Sequence, residues 1–386
     1  MYDELPIYLD YMATTPLDAR VLDEMVGSCW SGIASLGVGN ANSRHLYGER
    51  SRDLVRLASK RLAQLINGDP SGIIWTSGAT ESNNLAIRGV AQFYQRSGRH
   101  LVTSLIEHAS VLKVFQYLER CGFIVDYLKP NSEGLITTEQ LQQVLRRDTI
   151  LVSIAGASGE FGTVQPITEL VDIAHQVGAI FHSDLAQVLG KIPMDISQLG
   201  VDLATFSAHK IYGPPGIGAL YVRDIAHLHL MPLFYGGAQE RGVRPGSLAV
   251  ALIVGMGKAC DILLNEGSSE QAKLSVLGKQ FRQELGYDPR IVINGGGVKL
   301  PNLLNITIAG LDSKRGLLDM LPRLAIAYSS ACHWDCKSDQ PPVSDTLLYL
   351  GVPESLLQHS ARISWGRYTT AEELSEAAAC IRQLLV

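Results

Sequence analysis

Two side chains whose types and spacing suggest chemistry stand out: Lys210, in FSAHKIYGPPGIGALYV, and Asp184, in the upstream HSDLAQ. Lys210 follows a small residue and a histidine and enters a Gly/Pro-rich turn. A primary amine so placed can form a Schiff base, and a buried carboxylate can hold a pyridine nitrogen protonated. Pyridoxal phosphate needs both, because its ring withdraws electrons only while that nitrogen stays positive. Taken singly, Asp184 reads as a helix cap and Lys210 as a solvated loop lysine; their pairing is what points to chemistry.

WTSGATESNNLAIRG sets Ser77-Gly78-Ala79-Thr80 between a strand-like run and a helix-like one. Small residues at a helix start expose backbone N–H groups to a phosphate, which the helix dipole also favours. Gly78, Ala79 and Thr80 are therefore candidates for a phosphate cup, although the motif also reads as an ordinary helix start capped by Ser77 or Thr80.

Strands alternating with helices must position these groups. From about residue 73, the apolar runs IIWT, HLVTSL, FIVDYL, TILVSIA, AIFHSDL, VDLATFS and GALYV alternate with helical patterns such as HASVLKVFQYLER and ITELVDIAHQV. This predicts an α/β fold with a mostly parallel sheet covered on both faces, and ligands beyond the carboxyl ends of its strands. Gly78, His108, Asp184 and Lys210 all fall at or just after the end of an apolar run. Residues 247–267 predict a long helix, and a smaller domain is expected from about residue 260. The N-terminal segment should pack on that domain. The expected division is 17–259 for the large domain and 1–16 with 260–386 for the small one.

The 386 residues carry a net charge of −5 and no basic run, which argues against direct nucleic-acid or anionic-membrane binding. No basic leader precedes an apolar stretch, and no apolar segment approaches about eighteen residues. A cytoplasmic location is expected. The six cysteines are scattered without a scaffold spacing, so free thiols in a reduced compartment are the simpler account. No metal is expected either, since the closest pair, Cys332 and Cys336, offers only two ligands.

YLDYMATTP, SRHLYGE, TSGATESNNLAIRG, IEHASV, HSDLAQVLGK, FSAHKIYGPPGIGALYV, GGAQERGVRPGSL and RISWGRYTT together resemble the class V aminotransferase superfamily, and within it the cysteine desulfurases of the NifS/IscS type. The resemblance spans about residues 7 to 384. It implies the fold type I of pyridoxal-phosphate-dependent transferases, a large domain on a mostly parallel seven-stranded sheet plus a smaller α+β domain bearing a catalytic cysteine loop. It further implies a homodimer that binds pyridoxal 5'-phosphate, turns L-cysteine into L-alanine and passes sulfur, through a persulfide on Cys332, to an acceptor protein that the sequence does not name.

The resemblance also implies roles. Lys210 would form the Schiff base, Asp184 would face the ring nitrogen, and His108 would stack on the ring and relay protons. Gln187 would bond the phenolic oxygen, while Gly78, Ala79, Thr80, Ser207 and His209 would surround the phosphate. Ser247 would complete that site from the neighbouring subunit. Arg362 would clamp the substrate α-carboxylate, a task suited to a bidentate guanidinium, and Arg367 would be structural.

The chain departs from the family pattern at several points. Ser158 and Gly159 stand where the family has an Asn pair. Cys336 follows Cys332 with His333 and Asp335 between them; the two thiols could pass a persulfide, close a disulfide or bind a metal with those two residues, and an incidental second cysteine ranks first. The sequence ends at IRQLLV, whereas IscS-type members carry a longer tail that meets an iron–sulfur scaffold. A dedicated acceptor, including one for tRNA or DNA thio-modification, therefore stands beside iron–sulfur cluster assembly. Two further readings remain: a pyridoxal-phosphate-dependent lyase or aminotransferase acting on another small amino acid, and a weakly active docking subunit of a sulfur-transfer complex.

Overall fold

The structure is a computed structural model and describes residues 5–311, 315–328 and 344–385. After a short first strand, β1 (Ile7–Tyr8), the seven predicted apolar runs become β2 (Ile73–Thr76), β3 (His100–Ser104), β4 (Ile124–Leu128), β5 (Thr149–Ser153), β6 (Ile180–Asp184), β7 (Leu203–Ser207) and β8 (Gly218–Val222). They form one sheet in the order β2-β8-β7-β6-β5-β3-β4. Only β8 runs against its neighbours. The cause is local: residues 208–217 alone join β7 to β8, and a parallel crossover needs a dozen or more residues.

Successive residues on these strands enter opposite cores, as the pleat requires. Trp75, Val102 and Tyr221 face one apolar cluster, whereas Ile74, Leu101 and Leu220 face the other. Helices cover both sides, so every residue of β3, β5, β7 and β8 is buried. The carboxyl ends of the parallel strands therefore open onto one shared edge.

The predicted helix over 247–267 is longer than its sequence pattern suggested and spans Val250–Leu285. Gly267 reads as a stop, but the buried face continues past it. Ile253, Met256, Cys260 and Leu263 enter the main core, and Leu274, Leu277, Phe281 and Leu285 enter a second one. With no proline in this stretch, packing on both cores outweighs the roughly 1 kcal/mol that an interior glycine costs. The helix ends at Gly286, whose φ of 71° suits a residue without Cβ.

The second core lies beneath β9 (Ile291–Ile293), β10 (Leu303–Ile308), β12 (Ala327–Tyr328) and β13 (Ser360–Ser364), an antiparallel sheet in the order β12-β13-β10-β9. β11 (Leu324–Ala325) pairs in parallel with β1. Leu9 enters this second core while Met12 enters the main one. Residues 10–13 therefore cross between the two cores. Among the described residues, no helix is long and apolar enough to cross a membrane.

Candidate active site

A cavity of about 520 Å³ lies at the shared edge, where β2, β3, β5, β6 and β7 end. Gly78, Ala79, Thr80, His108, Asp184, Gln187, Ser207, His209, Lys210 and Arg362 all line it. Ser247 is exposed ahead of the long helix and does not line this chain's cavity. Cys332, Cys336, His333 and Asp335 lie outside the described residues.

On one side the Ala79–Tyr94 helix begins with Gly78 at its N-cap and no side-chain cap. Neither Ser77 nor Thr80, the capping alternatives read from the motif, takes that place. The first backbone donors of the helix are thus left for another acceptor. Gly218, at the start of β8, presses against this corner: a Cβ there would stand 2.7 Å from the Gly78 Cα. Beside it, Glu81 accepts the Ser77 N–H at 2.6 Å and the Arg244 Nε at 2.9 Å. His209 Nδ1 lies 3.1 Å from Thr14 Oγ1. Burial pushes the His209 imidazole down to about 4, with the Lys210 and Lys191 cations adding to the effect, so this ring is neutral at pH 7.

Across the cavity a polar chain joins Asp184 to His108. Asn83, fully buried, donates from Nδ2 to Asp184 Oδ2 at 2.8 Å and to Ser110 Oγ at 2.9 Å. Ser110 Oγ lies 2.8 Å from His108 Nδ1, and the Ser110 N–H donates to the same nitrogen at 3.1 Å. An acceptor at Nδ1 puts the proton of the neutral imidazole on Nε2. Ala186 N–H holds the other Asp184 oxygen at 3.0 Å. Neither Asn83 nor Ser110 stood out in the sequence. The only signal was the position of Asn83 one helical turn beyond Ala79, on the face that turns inward.

Lys210 Nζ donates to the carbonyls of Met12 at 2.6 Å and Ala13 at 2.7 Å. The crossing segment 10–13 thereby anchors the lysine. Gln187 Nε2 donates to the same Met12 carbonyl at 3.1 Å. Arg362, 2% exposed, binds Asp10 Oδ1 through Nη2 at 2.7 Å and the Gly159 carbonyl through Nη1 at 3.0 Å, and its Nε is buried without a partner among the described residues. Arg367 stays away from the cavity. It pairs with Asp18 and Glu270 at 2.5 and 2.8 Å and stacks over Tyr212.

Glu107, next to His108, was also missed. Its carboxyl is almost fully buried, accepting from Ser104 Oγ at 2.6 Å and the Ala155 N–H at 2.9 Å. Burial pushes it up to about 8 against those two bonds, and the Asp184 charge adds to the rise. An unfolded glutamate titrates near about 4.3. Between those values the folded chain holds a proton that the unfolded chain has lost, so this residue's contribution to stability falls as pH rises towards about 8. Chemical denaturation of wild type and Glu107→Gln checks this: the wild-type advantage is expected to shrink steadily from pH 5 to pH 8. A pH-independent difference would contradict it.

The family model for class-V aminotransferases matches residues 7–376. The chain belongs to that family. Over 376 residues it is 41% identical to a protein of Stutzerimonas stutzeri (strain A1501) named cysteine desulfurase IscS, an alignment covering 97% of this chain and 91% of that protein. Among solved structures it is similar to a NifS-like protein with a TM-score of 0.87 and 32% identity, covering 99% of both chains. It is also similar to SspA in complex with cysteine, with a TM-score of 0.81 and 34% identity, covering 94% of this chain and 99% of that one. The arrangement of this class-V chain, a mostly parallel seven-stranded sheet covered by helices with its polar cavity at the strand ends, is the fold its sequence pattern predicts.

Proposed function

We propose that this chain is a pyridoxal-phosphate-dependent cysteine desulfurase that converts L-cysteine to L-alanine and collects the sulfur as a persulfide on Cys332. The observation that carries the reading is the convergence of Lys210, Asp184, His108 and Arg362 on one cavity, in a class-V chain whose relative is named cysteine desulfurase. The residues present fit the cofactor. An uncapped helix start, the neutral His209 and the buried Ser207 suit a phosphate. The anchored Asp184 carboxylate suits a protonated pyridine nitrogen, and the buried Asn83 Oδ1 and Arg362 Nε still lack partners.

Bound there, pyridoxal phosphate supplies an electron sink for the substrate α-carbon. The chain's own groups do the rest. Lys210 would hold the cofactor and move the α-proton, and His108 would serve a second proton transfer. Arg362 receives the substrate carboxylate, placing the sulfur for attack. The Cys332 thiolate bonds to that sulfur, the electrons of the broken C–S bond stay on the substrate carbon, and a proton completes alanine. A homodimer belongs to the same proposal, with the exposed Ser247 of each copy completing the phosphate site of the other. So does a division into residues 17–259 and 1–16 with 260–386, supported by two separate cores.

Arg362→Ala is expected to lower kcat/KM for L-cysteine by about 10²-fold, as loss of a bidentate charged clamp would, with cofactor absorption intact. An unchanged value would remove Arg362 from substrate binding. A second reading, turnover of another small amino acid, is favoured by Gly159, which leaves Gln187 the only side-chain amide lining the cavity among the described residues. Assaying L-cysteine, L-selenocysteine, L-cysteine sulfinate and L-alanine for alanine, sulfide and keto acid decides between them. Sulfide and alanine from L-cysteine are expected; keto acid without sulfide would overturn the desulfurase reading.

A further inference from the structure

Behind Gln187, one turn further along the chain, lies Lys191. It is 5% exposed, and its Nζ donates to Gln187 Oε1 at 3.1 Å. The small cavity around it, about 10 Å³, has room for about one water at most. Glu270 lines the same space but is held by Arg367 at 2.8 Å. A lysine with so little solvent and, among the described residues, no carboxylate of its own is costly to retain. That cost calls for a reason.

An ammonium can only donate, so the Gln187 atom facing it must be the oxygen, and the NH₂ must point the opposite way. That is the orientation found, with Nε2 reaching the Met12 carbonyl that also receives Lys210. Gly159 heightens the effect. A Cβ at that position would stand 3.1 Å from Gln187 Nε2, so the missing side chain leaves Gln187 room on that flank.

We propose that Lys191 is a positioning residue for the cofactor: it locks the Gln187 amide with its donor end towards the cavity, so that this donor meets the phenolic oxygen. The inference rests on the cofactor reading above. Groups that titrate around Lys191 are Lys210 and His209 on the β7–β8 turn, Glu270 on the long helix, and Tyr11 and Tyr212 across the small cavity. Burial, reinforced by Lys210, pushes the Lys191 ammonium down to about 7. The unfolded lysine takes its proton near about 10.4, so stability falls as pH drops from there to about 7, and the full penalty holds below it.

The test is titration of pyridoxal phosphate into the apo forms of wild type, Lys191→Met, Gln187→Ala and the double variant at pH 6.5. Binding is read by visible absorption, and apo stability by thermal unfolding. Lys191→Met is expected to weaken binding about ten-fold while leaving the apo melting temperature equal or higher, a combination that a merely structural lysine would not give. In the Gln187→Ala background the same change should cost no more than about two-fold. Lys191→Gln, a donor without charge, should recover most of the affinity. Wild-type binding by Lys191→Met, or an equal loss in both backgrounds, would overturn the proposal, as would failure of Lys191→Met and Lys191→Gln alike to fold. A wild-type chain that takes up no pyridoxal phosphate would instead overturn the cofactor reading itself.

Discussion

Lys210→Ala is expected to lose L-cysteine turnover by about 10³-fold or more, the scale of a positioned proton-transfer group acting together with covalent attachment. No other lysine lines the cavity among the described residues. Lys191 does not line it and donates to Gln187 Oε1 instead. The fold should survive, because the hydrogen bonds that the change removes, to the Met12 and Ala13 carbonyls, are each worth about 1 kcal/mol. Circular dichroism and thermal unfolding check that point, and steady-state alanine production checks the rate. Activity within about ten-fold of wild type would remove Lys210 from the chemistry.

Cys332→Ala separates the two halves of the proposed reaction. The substituted chain should bind pyridoxal phosphate with the wild-type spectrum and affinity, since the described groups around the cavity come from β2, β3, β5, β6, β7 and β13 with their adjoining turns, residues 12–13 and Thr346. Sulfide release in the presence of a reductant should nevertheless drop by about 10³-fold, because the thiolate proposed to accept the sulfur is gone. Cys332→Ser should behave alike, a hydroxyl being a poor nucleophile at neutral pH. Cys336→Ala should stay within about two-fold of wild type if the second cysteine is incidental. Unchanged sulfide release by Cys332→Ala would sink the role given to Cys332.

Much of the frame was legible because its signals are local. Seven apolar runs alternating with helical patterns specify a covered, mostly parallel sheet, and the residues at their ends share one edge for geometric reasons alone. Gly78, His108, Asp184 and Lys210 each sit at a strand end or the turn after it, so their meeting follows from the topology. The extent of the long helix was less legible. Gly267 carries the local signal of a stop, yet packing against two cores carries the helix to Leu285.

The supporting groups were hidden for a different reason. Asn83 and Glu107 look like a polar helix position and a loop acid, and only burial makes one a bridge and the other a high-pKa carboxyl. The carbonyls that hold Lys210 lie 197 and 198 residues upstream. Asp10 meets Arg362 across 352 residues. Such contacts depend on β1 pairing with β11 and residues 10–13 crossing between the cores, a long-range event without a local sequence signal. The left-handed Tyr212, φ 63°, is a similar case, its hydroxyl accepting the Arg367 N–H at 2.6 Å.

The measurement that bears most directly on the account is a single-turnover reaction of the pyridoxal-phosphate-loaded protein with L-cysteine, followed by quantification of alanine and by intact and peptide mass analysis of the chain. The account predicts one alanine formed for each active site, with a single added sulfur confined to the peptide bearing Cys332. A loaded protein that forms neither alanine nor a sulfur adduct, or that places the sulfur on another cysteine, would contradict it.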